Sequence, residues 1–288
     1  MRHPRLIEDS APDGVVFQPP AARLEFERVG ERTVVRSALP MGPLRLLTPK
    51  NHGQAAWAFT SSLGGGFVDG DAVQLDLRVA RDAAAFVSTQ GPTRVYRSPR
   101  GCKSETRAEV RSGGLLALVP DPTACFAGAR FRSRCEVDLA PGASLVLFDA
   151  LSAGRSHRNE RWAFLSYSSG LRLAMEGAVI LDETVLLAPE HGGLLERLGR
   201  FDLLATLIIA GLPLTAAREE VSQRIEATPI GVRSDFVESK SRLGPQAVLV
   251  RMAAVSVEKG LARMRSHLRF LPDLLGDDPF SRRGTPCT

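Results

Sequence analysis

The chain has 288 residues, of which 44% are hydrophobic, 24% charged and 6% aromatic, and this composition excludes a wholly disordered protein. The net charge of +5 comes without an RNP-like aromatic motif or a helix-turn-helix signature, which argues against nucleic acid as a partner. The four cysteines form no Cys-x-x-Cys pair, so the sequence predicts neither a disulfide scaffold nor a zinc ribbon.

Two segments bear on the compartment of the protein. The amino terminus carries Glu8 and Asp13, where a signal peptide needs an uninterrupted apolar stretch. The strongest apolar run, residues 203–214, is interrupted by Gly211 and Pro213 and is shorter than the roughly 20 residues of a membrane span. We therefore expect a soluble, cytoplasmic protein with no membrane partner.

The first two thirds of the chain have the pattern of a β protein. Residues 1–21 are rich in Pro and charge without apolar periodicity, which predicts a flexible leader. Over residues 22–189, short stretches of alternating or β-branched residues recur between Gly, Pro and Asp, which is typical of an all-β body. The alternation is clearest at Val73, Leu75, Leu77 and Val79, and these side chains should share one face of a strand.

One unit of this body looks repeated. A strand leads into a tight turn of small residues, and a second apolar strand follows the turn. The turns fall at residues 81–83, 112–114 and 141–143, and the outgoing strands at residues 85–88, 115–119 and 144–148. A period of roughly 30 residues indicates stacked supersecondary units. The predicted fold class is therefore mainly β, a layered β-sandwich or short solenoid-like body.

The pattern changes in residues 190–276, where a few helices are expected. Leucines from Leu194 to Leu207 follow the three-and-four spacing of a helix face. A second helix is predicted over residues 215–227, with Thr215 as a possible N-cap.

A hairpin and a last helix are predicted next. Residues 232–239 and 247–255 have strand character around a Gly-Pro turn. Ser256 should then open a helix that Pro272 ends. Residues 277–288 are polar and predict a flexible tail, which leaves residues 22–276 as a single domain.

The most conspicuous motif lies at residues 63–71, Leu-Gly-Gly-Gly-Phe-Val-Asp-Gly-Asp. Its glycines permit positive φ angles or close backbone approach, and their amides could hold an anion. No Gly-Lys-Ser/Thr follows and the next segment is a strand, which disfavours a phosphate loop. Asp69-Gly70-Asp71 lacks the further acidic positions and the closing Glu of a calcium loop as well. A structural turn is the favoured interpretation.

A second polar cluster spans residues 88–98, Ser-Thr-Gln-Gly-Pro-Thr-Arg-Val-Tyr-Arg-Ser. Hydroxyl and amide side chains around a Gly-Pro turn commonly satisfy backbone groups where a strand leaves a layer. Surface recognition is the alternative, because Tyr96 is flanked by Arg94 and Arg97 and would make an interface anchor.

The third cluster is residues 154–162, Gly-Arg-Ser-His-Arg-Asn-Glu-Arg-Trp. His157 and Glu160 are close enough on a turn to bind a metal or move a proton, although such pairs are more often solvated. With Asp71 they are weak metal candidates, since the other histidines form no ligand-spaced set. No Gly-x-Ser-x-Gly elbow or Ser-x-x-Lys motif with its partners is present, so we predict no catalytic residues and no enzyme.

Taken together, the three clusters resemble the UreD family of urease accessory proteins, also called UreH. They occur in family order, and the set is more specific than any single motif. The matching residues are Gly64, Gly65, Gly66, Gly70 and Asp71, then Thr89, Gln90, Tyr96, Arg97 and Ser98, then Phe126, and lastly Gly154, Arg155, Glu160 and Trp162.

The resemblance implies a scaffold and not an enzyme. Family members act with UreF and the GTPase UreG on urease apoprotein, and a homodimer within that complex is possible. They are thought to contain an internal passage through which nickel travels. No tightly bound cofactor is expected, only transient Ni²⁺, held by oxygen and nitrogen ligands that release it. The ligands themselves are not identified by the sequence.

Two other function classes stay open at this point. One is a β-sandwich hydrolase or carbohydrate-active enzyme with its site at Asp69, Asp71, His157 and Glu160, for which carboxylates about 5 to 9 Å apart would be the signature. The other is an interaction module unrelated to urease.

Overall fold

A computed structural model of the chain describes residues 21–50 and 53–281. Its strands are β1 Ala22–Val29, β2 Arg32–Leu39, β3 Leu44–Leu47, β4 Ala56–Ser62, β5 Ala72–Val79, β6 Ala84–Thr89, β7 Thr93–Val95, β8 Ser98–Val110, β9 Leu115–Leu118, β10 Thr123–Cys125, β11 Ala129–Leu139, β12 Ser144–Ser152, β13 Ser166–Met175, β14 Ala178–Leu187, β15 Leu203–Ala210, β16 Phe236–Arg242 and β17 Ala247–Ala254. Its α-helices are α1 Leu194–Leu198, α2 Thr215–Glu226, α3 Val257–His267 and α4 Leu271–Leu275. The predicted mainly β class, with helices in the carboxy-terminal third, is confirmed.

In the described residues the strands form two sheets. Sheet A has the order β14-β13-β11-β8-β5-β1-β2, and sheet B has the order β16-β17-β15-β12-β9-β6-β4-β3, with β7 and β10 attached beside β12. The inner strands are parallel, namely β1, β5, β8, β11 and β13 in sheet A and β4, β6, β9 and β12 in sheet B. Antiparallel pairs such as β1–β2 and β13–β14 flank them.

The repeated unit of the sequence is one coil of a solenoid-like stack. Strands β5, β8 and β11 in sheet A each lead through a tight turn into β6, β9 and β12 in sheet B. Successive turns stack on one another, and Gly113, with φ +71°, shows why a small residue is needed: a Cβ atom there would lie 1.9 Å from Asp82 Oδ1. The predicted solenoid-like layering is therefore confirmed.

Sheet B is the middle layer of the molecule. One apolar cluster fills the space between the sheets and includes Leu75 and Leu77 of β5 with Leu145 and Leu147 of β12. A second cluster packs the other face of sheet B against α2, α3 and α4. Because both faces of sheet B are covered, its strands are nearly continuously apolar, whereas sheet A keeps one face in solvent. The predicted inward face of β5, from Val73 to Val79, is buried.

The predicted helix over residues 194–207 is wrong. Only α1 is helical, and it ends where Gly199 adopts φ +54°. The following Leu-Leu-Ala-Thr-Leu-Ile-Ile-Ala run is β15, which lies between β12 and β17. Leu207 packs toward the helices and Ile208 toward sheet A. A strand apolar on both faces has no alternation, and its leucines can match helical spacing by chance.

Two helix-end predictions are also wrong, and one is confirmed. Thr215 is not an N-cap, because its hydroxyl donates to the Leu212 carbonyl and the helix already begins at Thr215. Pro272 ends no helix, since it lies in the first turn of α4, where its missing N–H costs no hydrogen bond. Ser256 caps α3 as predicted, with its Oγ accepting from the Lys259 amide at 3.2 Å.

The predicted hairpin is confirmed as the antiparallel pair β16–β17. The predicted leader lies outside the described residues except for residue 21, and the predicted tail is described only to residue 281. Before that point, the Phe280 ring packs edge-on against Phe86, with centroids 6.4 Å apart. The division into leader, domain and tail stays a prediction. Over residues 21–50 and 53–281, no helix is long and apolar enough to cross a membrane.

Candidate functional site

The glycine-rich loop packs directly on the second polar segment. The Phe67 amide donates to the Arg94 carbonyl at 2.8 Å, and the Tyr96 amide donates to the Phe67 carbonyl at 3.0 Å. Gly66 makes this approach possible: a Cβ atom there would lie 2.6 Å from the Arg94 oxygen and 2.7 Å from Tyr96 Cε2. Gly64 and Gly65 adopt φ of +77° and +76°, a region that favours glycine.

The two aspartates of this loop stabilise its shape. Asp69 Oδ1 accepts from the Arg100 amide at 2.9 Å, and Oδ2 accepts from Arg100 Nε at 2.8 Å. These hydrogen bonds and the guanidinium charge lower the pKa of Asp69. Asp71 Oδ2 accepts from the Val68 amide at 2.8 Å, and Gly70, at φ +93°, lies against Arg100. Both carboxylates are therefore already engaged within the loop and its neighbour.

The hydroxyl groups of the second segment bind backbone of the next coil. Thr89 Oγ1 accepts from the Asp121 amide at 2.8 Å. Ser98 Oγ donates to the Arg130 carbonyl at 3.2 Å and lies 3.1 Å from the amide of the same residue, from which it accepts. The Gln90 side chain is exposed, while its amide donates to the Thr60 carbonyl at 2.9 Å. This segment thus ties adjacent coils together.

The third segment is organised by an ion pair and not by its histidine. Arg155 holds Glu160 through Nε and Nη2, at 2.8 and 2.6 Å, and this lowers the pKa of Glu160. Glu160 Oε2 also accepts from the Ala127 amide at 3.3 Å. His157 is exposed on a short 3-10 turn. A Cβ atom on Gly154, at φ +89°, would lie 2.7 Å from the Cys125 carbonyl oxygen.

Trp162 closes the third segment against the body of the protein. It is buried, adopts φ +53°, and donates from Nε1 to the Phe201 carbonyl at 3.0 Å. Its ring packs edge-on against Phe164, with centroids 6.1 Å apart.

Phe126 joins the three segments into one group, which we call the motif cluster: Gly66, Tyr96, Phe126, Arg155 and Glu160. The Tyr96 and Phe126 rings meet edge-to-face at 5.5 Å and 82°. The Arg155 guanidinium lies 4.2 Å from the Phe126 centroid, within cation–π range. The sequence marked Phe126 only as part of the resemblance, and nothing in its spacing indicated this central position.

The weak metal candidates are not brought together as a ligand set. In the described part of the chain, no three His, Cys, Asp or Glu side chains are grouped so that they could hold a metal ion. Asp71 is bonded to the Val68 amide, Glu160 to Arg155, and His157 faces solvent.

Two cavities lie between the sheets and share Asp149, Ser169 and Leu171. One, of about 170 Å³, is also lined by Thr89, Asp121 and Cys135. The other, of about 470 Å³, is also lined by Glu183, Glu238 and Arg251. Burial raises the pKa of the Cys135 thiol to about 12 and raises the pKa of Asp149.

Sequence reasoning missed Asp149. Its signal was a lone acid within the apolar run Ser-Leu-Val-Leu-Phe-Asp-Ala-Leu-Ser of β12.

The fold and the motif cluster define a class of protein: a solenoid-like β scaffold in which the marked side chains hold loops against one another. The chain belongs to the UreD family, because the family model described as UreD urease accessory protein matches residues 18–285. It is 49% identical over 263 residues to a urease accessory protein UreD of Sorangium cellulosum, covering 91% of this chain and 84% of that relative.

More distant relatives carry the same kind of name. The chain is 39% identical over 264 residues to a urease accessory protein UreD of an Anaeromyxobacter species, covering 91% of this chain and 89% of the relative. It is 28% identical over 290 residues to urease accessory protein D of Arabidopsis thaliana, covering 90% and 99%. The similarity therefore spans nearly the whole length of proteins from bacteria and plants.

Proposed function

We propose that this protein is a scaffold for urease maturation, which acts in the cytoplasm with UreF and the GTPase UreG to deliver nickel to urease apoprotein. Membership of the UreD family carries the proposal. The motif cluster supports it, because the residues that mark the family in sequence contact one another in space. Nickel is the cargo, and no catalytic residue of this chain is required.

The inter-sheet cavities support a role in passing a metal ion on. Their linings combine apolar side chains with oxygen donors such as Thr89, Asp121 and Asp149. Oxygen donors bind Ni²⁺ less tightly than a closed thiolate cage does. The two cavities border the same Asp149 and Ser169, which supports a route for transient Ni²⁺ between the sheets.

The arrangement favours this role over that of a hydrolase with its site at Asp69, Asp71, His157 and Glu160. Glycoside hydrolysis needs a carboxylic acid of raised pKa to protonate the leaving group. Asp69 and Glu160 are each paired with an arginine, and their pKa values are lowered. Carboxylates held in this way remain ionised at neutral pH and lack the proton that a general acid supplies.

Deletion of the gene tests the proposal. In a host that depends on this protein for urease activity, the deletion strain should accumulate urease apoprotein with little bound nickel and little activity, and a plasmid copy should restore both. Nickel per urease active site is measured by elemental analysis of the purified enzyme. Fully active, nickel-loaded urease in the deletion strain would contradict the proposal.

A binding experiment separates the scaffold from the other function classes. Purified protein should retain UreF and UreG in a pull-down. An enzyme or an unrelated interaction module would retain neither. The control is an unrelated β protein of similar net charge, because a basic protein can bind partners non-specifically.

A further inference from the structure

Basic side chains beside the motif cluster rest on bare backbone. A Cβ atom on Gly65 would lie 4.0 Å from Arg94 Nη1, and one on Gly128 would lie 3.0 Å from Arg97 Cγ. Glycine at these positions lets the Arg94 guanidinium and the Arg97 stem lie close to the main chain. Side chains supported in this way lose less conformational freedom on binding, which favours their use in recognition.

Two of these cations are uncompensated. Arg100 and Arg155 are paired with Asp69 and Glu160. Arg94 and Arg97 are exposed and take part in none of the ion pairs formed among the described residues. They flank Tyr96, which is partly buried and packed edge-on against Phe126. We call Arg94, Tyr96 and Arg97 the basic ridge.

The composition of the basic ridge fits a protein partner better than a nucleic acid. Tyrosine and arginine are the residues most enriched at energetic hot spots of protein interfaces. Stacking of a base needs an open ring face, whereas the Tyr96 ring packs against Gly66 and Phe126 and is only partly exposed.

We propose that the basic ridge is a docking site for an acidic surface of a protein partner, with Tyr96 as the anchor and Arg94 and Arg97 as paired cations. The identity of that partner as UreF, UreG or urease apoprotein rests on the proposed function. The ridge itself rests on the geometry and charge of this chain. Contact with carboxylates would bring the two arginines the partners that they lack within this protein.

A double variant that removes the charge tests the ridge. Arg94→Gln with Arg97→Gln should weaken binding to one of the three proteins by about tenfold or more and reduce the salt dependence of that affinity. The matched control is Arg78→Gln with Arg107→Gln, which removes the same charge from arginines paired with Glu25 and Glu105 on sheet A. Affinities are measured by biolayer interferometry at two salt concentrations, and the control should stay within about twofold.

A glycine pair tests the support beneath the ridge. Gly66→Ala should displace Arg94 and Tyr96 and weaken the same interaction. Gly91→Ala places a methyl group in open space in the neighbouring loop, without a positive φ, and should bind as the natural protein does. Circular dichroism identifies a Gly66 variant that fails to fold, and in that case the arginine variants alone decide the outcome.

The outcomes separate the ridge from the proposed function. If both double variants bind equally well, the basic ridge is not a docking site, and the proposed role in maturation is unaffected. If none of the three proteins binds the natural chain, the maturation role fails, and an oligoglutamate peptide becomes the probe. Weaker peptide binding by the Arg94/Arg97 variant alone would keep the ridge, and equal binding would overturn it. If the Arg94/Arg97 variant loses affinity only for a DNA or RNA duplex, the proposal of a protein docking site is also wrong.

Discussion

Asp149 places a carboxylic acid between the two sheets. It lies on β12, lines both cavities, and accepts a hydrogen bond from Ser169 Oγ at 3.1 Å. Burial raises its pKa above the ordinary value. Below the unfolded-state pKa of about 3.9 the carboxyl is protonated in both the folded and the unfolded state, and its ionisation does not change the free energy of unfolding. As the pH rises toward the folded pKa, the unfolded state ionises first, so stability falls.

Asp149→Asn should therefore stabilise the protein at neutral and higher pH. We expect the free energy of unfolding at pH 8 to rise by about 1 kcal/mol, with no gain at pH 3, because the amide keeps the shape and still accepts from Ser169. Urea unfolding at the two pH values measures the difference. Asp138→Asn, at an exposed carboxylate paired with Arg172, is the control and should show no such gain. Destabilisation at pH 8 would mean that the ionised carboxylate is favoured in the fold.

The sequence identified which residues mark the site but not how they meet. The three segments stand out by composition, because glycines and polar clusters interrupt apolar strands. Their convergence depends on contacts between distant positions, such as Tyr96 with Phe126 and Arg155 with the same ring. Glu160 pairs with Arg155, and Asn159 beside it adopts a left-handed φ of +58°. Local spacing holds no information about either contact.

The elements were predictable wherever one coil repeats another. Each turn between sheet A and sheet B is local, so its small residues and flanking alternation are visible in the sequence. Strand β15 was not predictable in this way, because it pairs with β12 and β17, which are distant from it in the sequence. The packing of the helices on sheet B was not predictable either. The strands of sheet B are apolar on both faces, so their sequence pattern does not show which face the helices cover.

Stacking in register also orders the exposed face of sheet A. Parallel pairing places Arg23, Asp76, Arg107, Glu136 and Arg172 side by side on successive strands, and Asp182 follows on β14. The charges along this row alternate in sign. An ion pair along β11 between Arg134 and Glu136, at 2.9 Å, and a diagonal one between Arg172 and Asp138, at 3.2 Å, link it to the neighbouring rows. Several arginines are therefore paired within this sheet and are not free for a partner.

Glu136→Lys should destabilise this sheet by placing a cation between Arg107 and Arg172. We expect a loss of about 1 kcal/mol relative to Glu136→Gln, since like charges on neighbouring strands repel. At about 1 M salt the difference between the two variants should largely vanish, because the Debye length falls to roughly 3 Å. Glu31→Lys makes the same charge change in the β1–β2 turn, outside the row. If Glu31→Lys lowers the free energy of unfolding by as much, the alternating charges of the row do not stabilise sheet A.

A buried polar network joins the helix layer to sheet B. Glu238 of β16 contacts His267 Nε2 at 2.9 Å and accepts from Arg263 Nε at 3.0 Å, both on α3. Arg224 of α2 donates to the Ser266 carbonyl beside them. Burial alone would raise the pKa of Glu238, but the hydrogen bonds and charges of His267 and Arg263 outweigh it and hold that pKa below its usual value.

The lowered pKa of Glu238 determines how the stability of the fold changes with pH. A carboxylate whose folded pKa lies below its unfolded value stabilises the fold at every pH above the unfolded value of about 4.3. That contribution is lost as the pH falls through the folded pKa. Acid should therefore weaken the attachment of α2 and α3 to sheet B, in the same pH range in which exposed ion pairs are also lost.

Glu238→Gln should cost about 3 kcal/mol at pH 7, because Arg263 and His267 would stay buried without the opposite charge. The variant should also lose less stability than the natural protein between pH 5 and 3, since it has no carboxylate to protonate there. Urea unfolding followed by tryptophan fluorescence suits this measurement, because Trp57 lies in the cluster between sheet B and the helices. Glu220→Gln, at an exposed partner of Arg224, is the control and should cost well under 1 kcal/mol. A Glu238 variant as stable as the control would show that packing alone holds the helix layer.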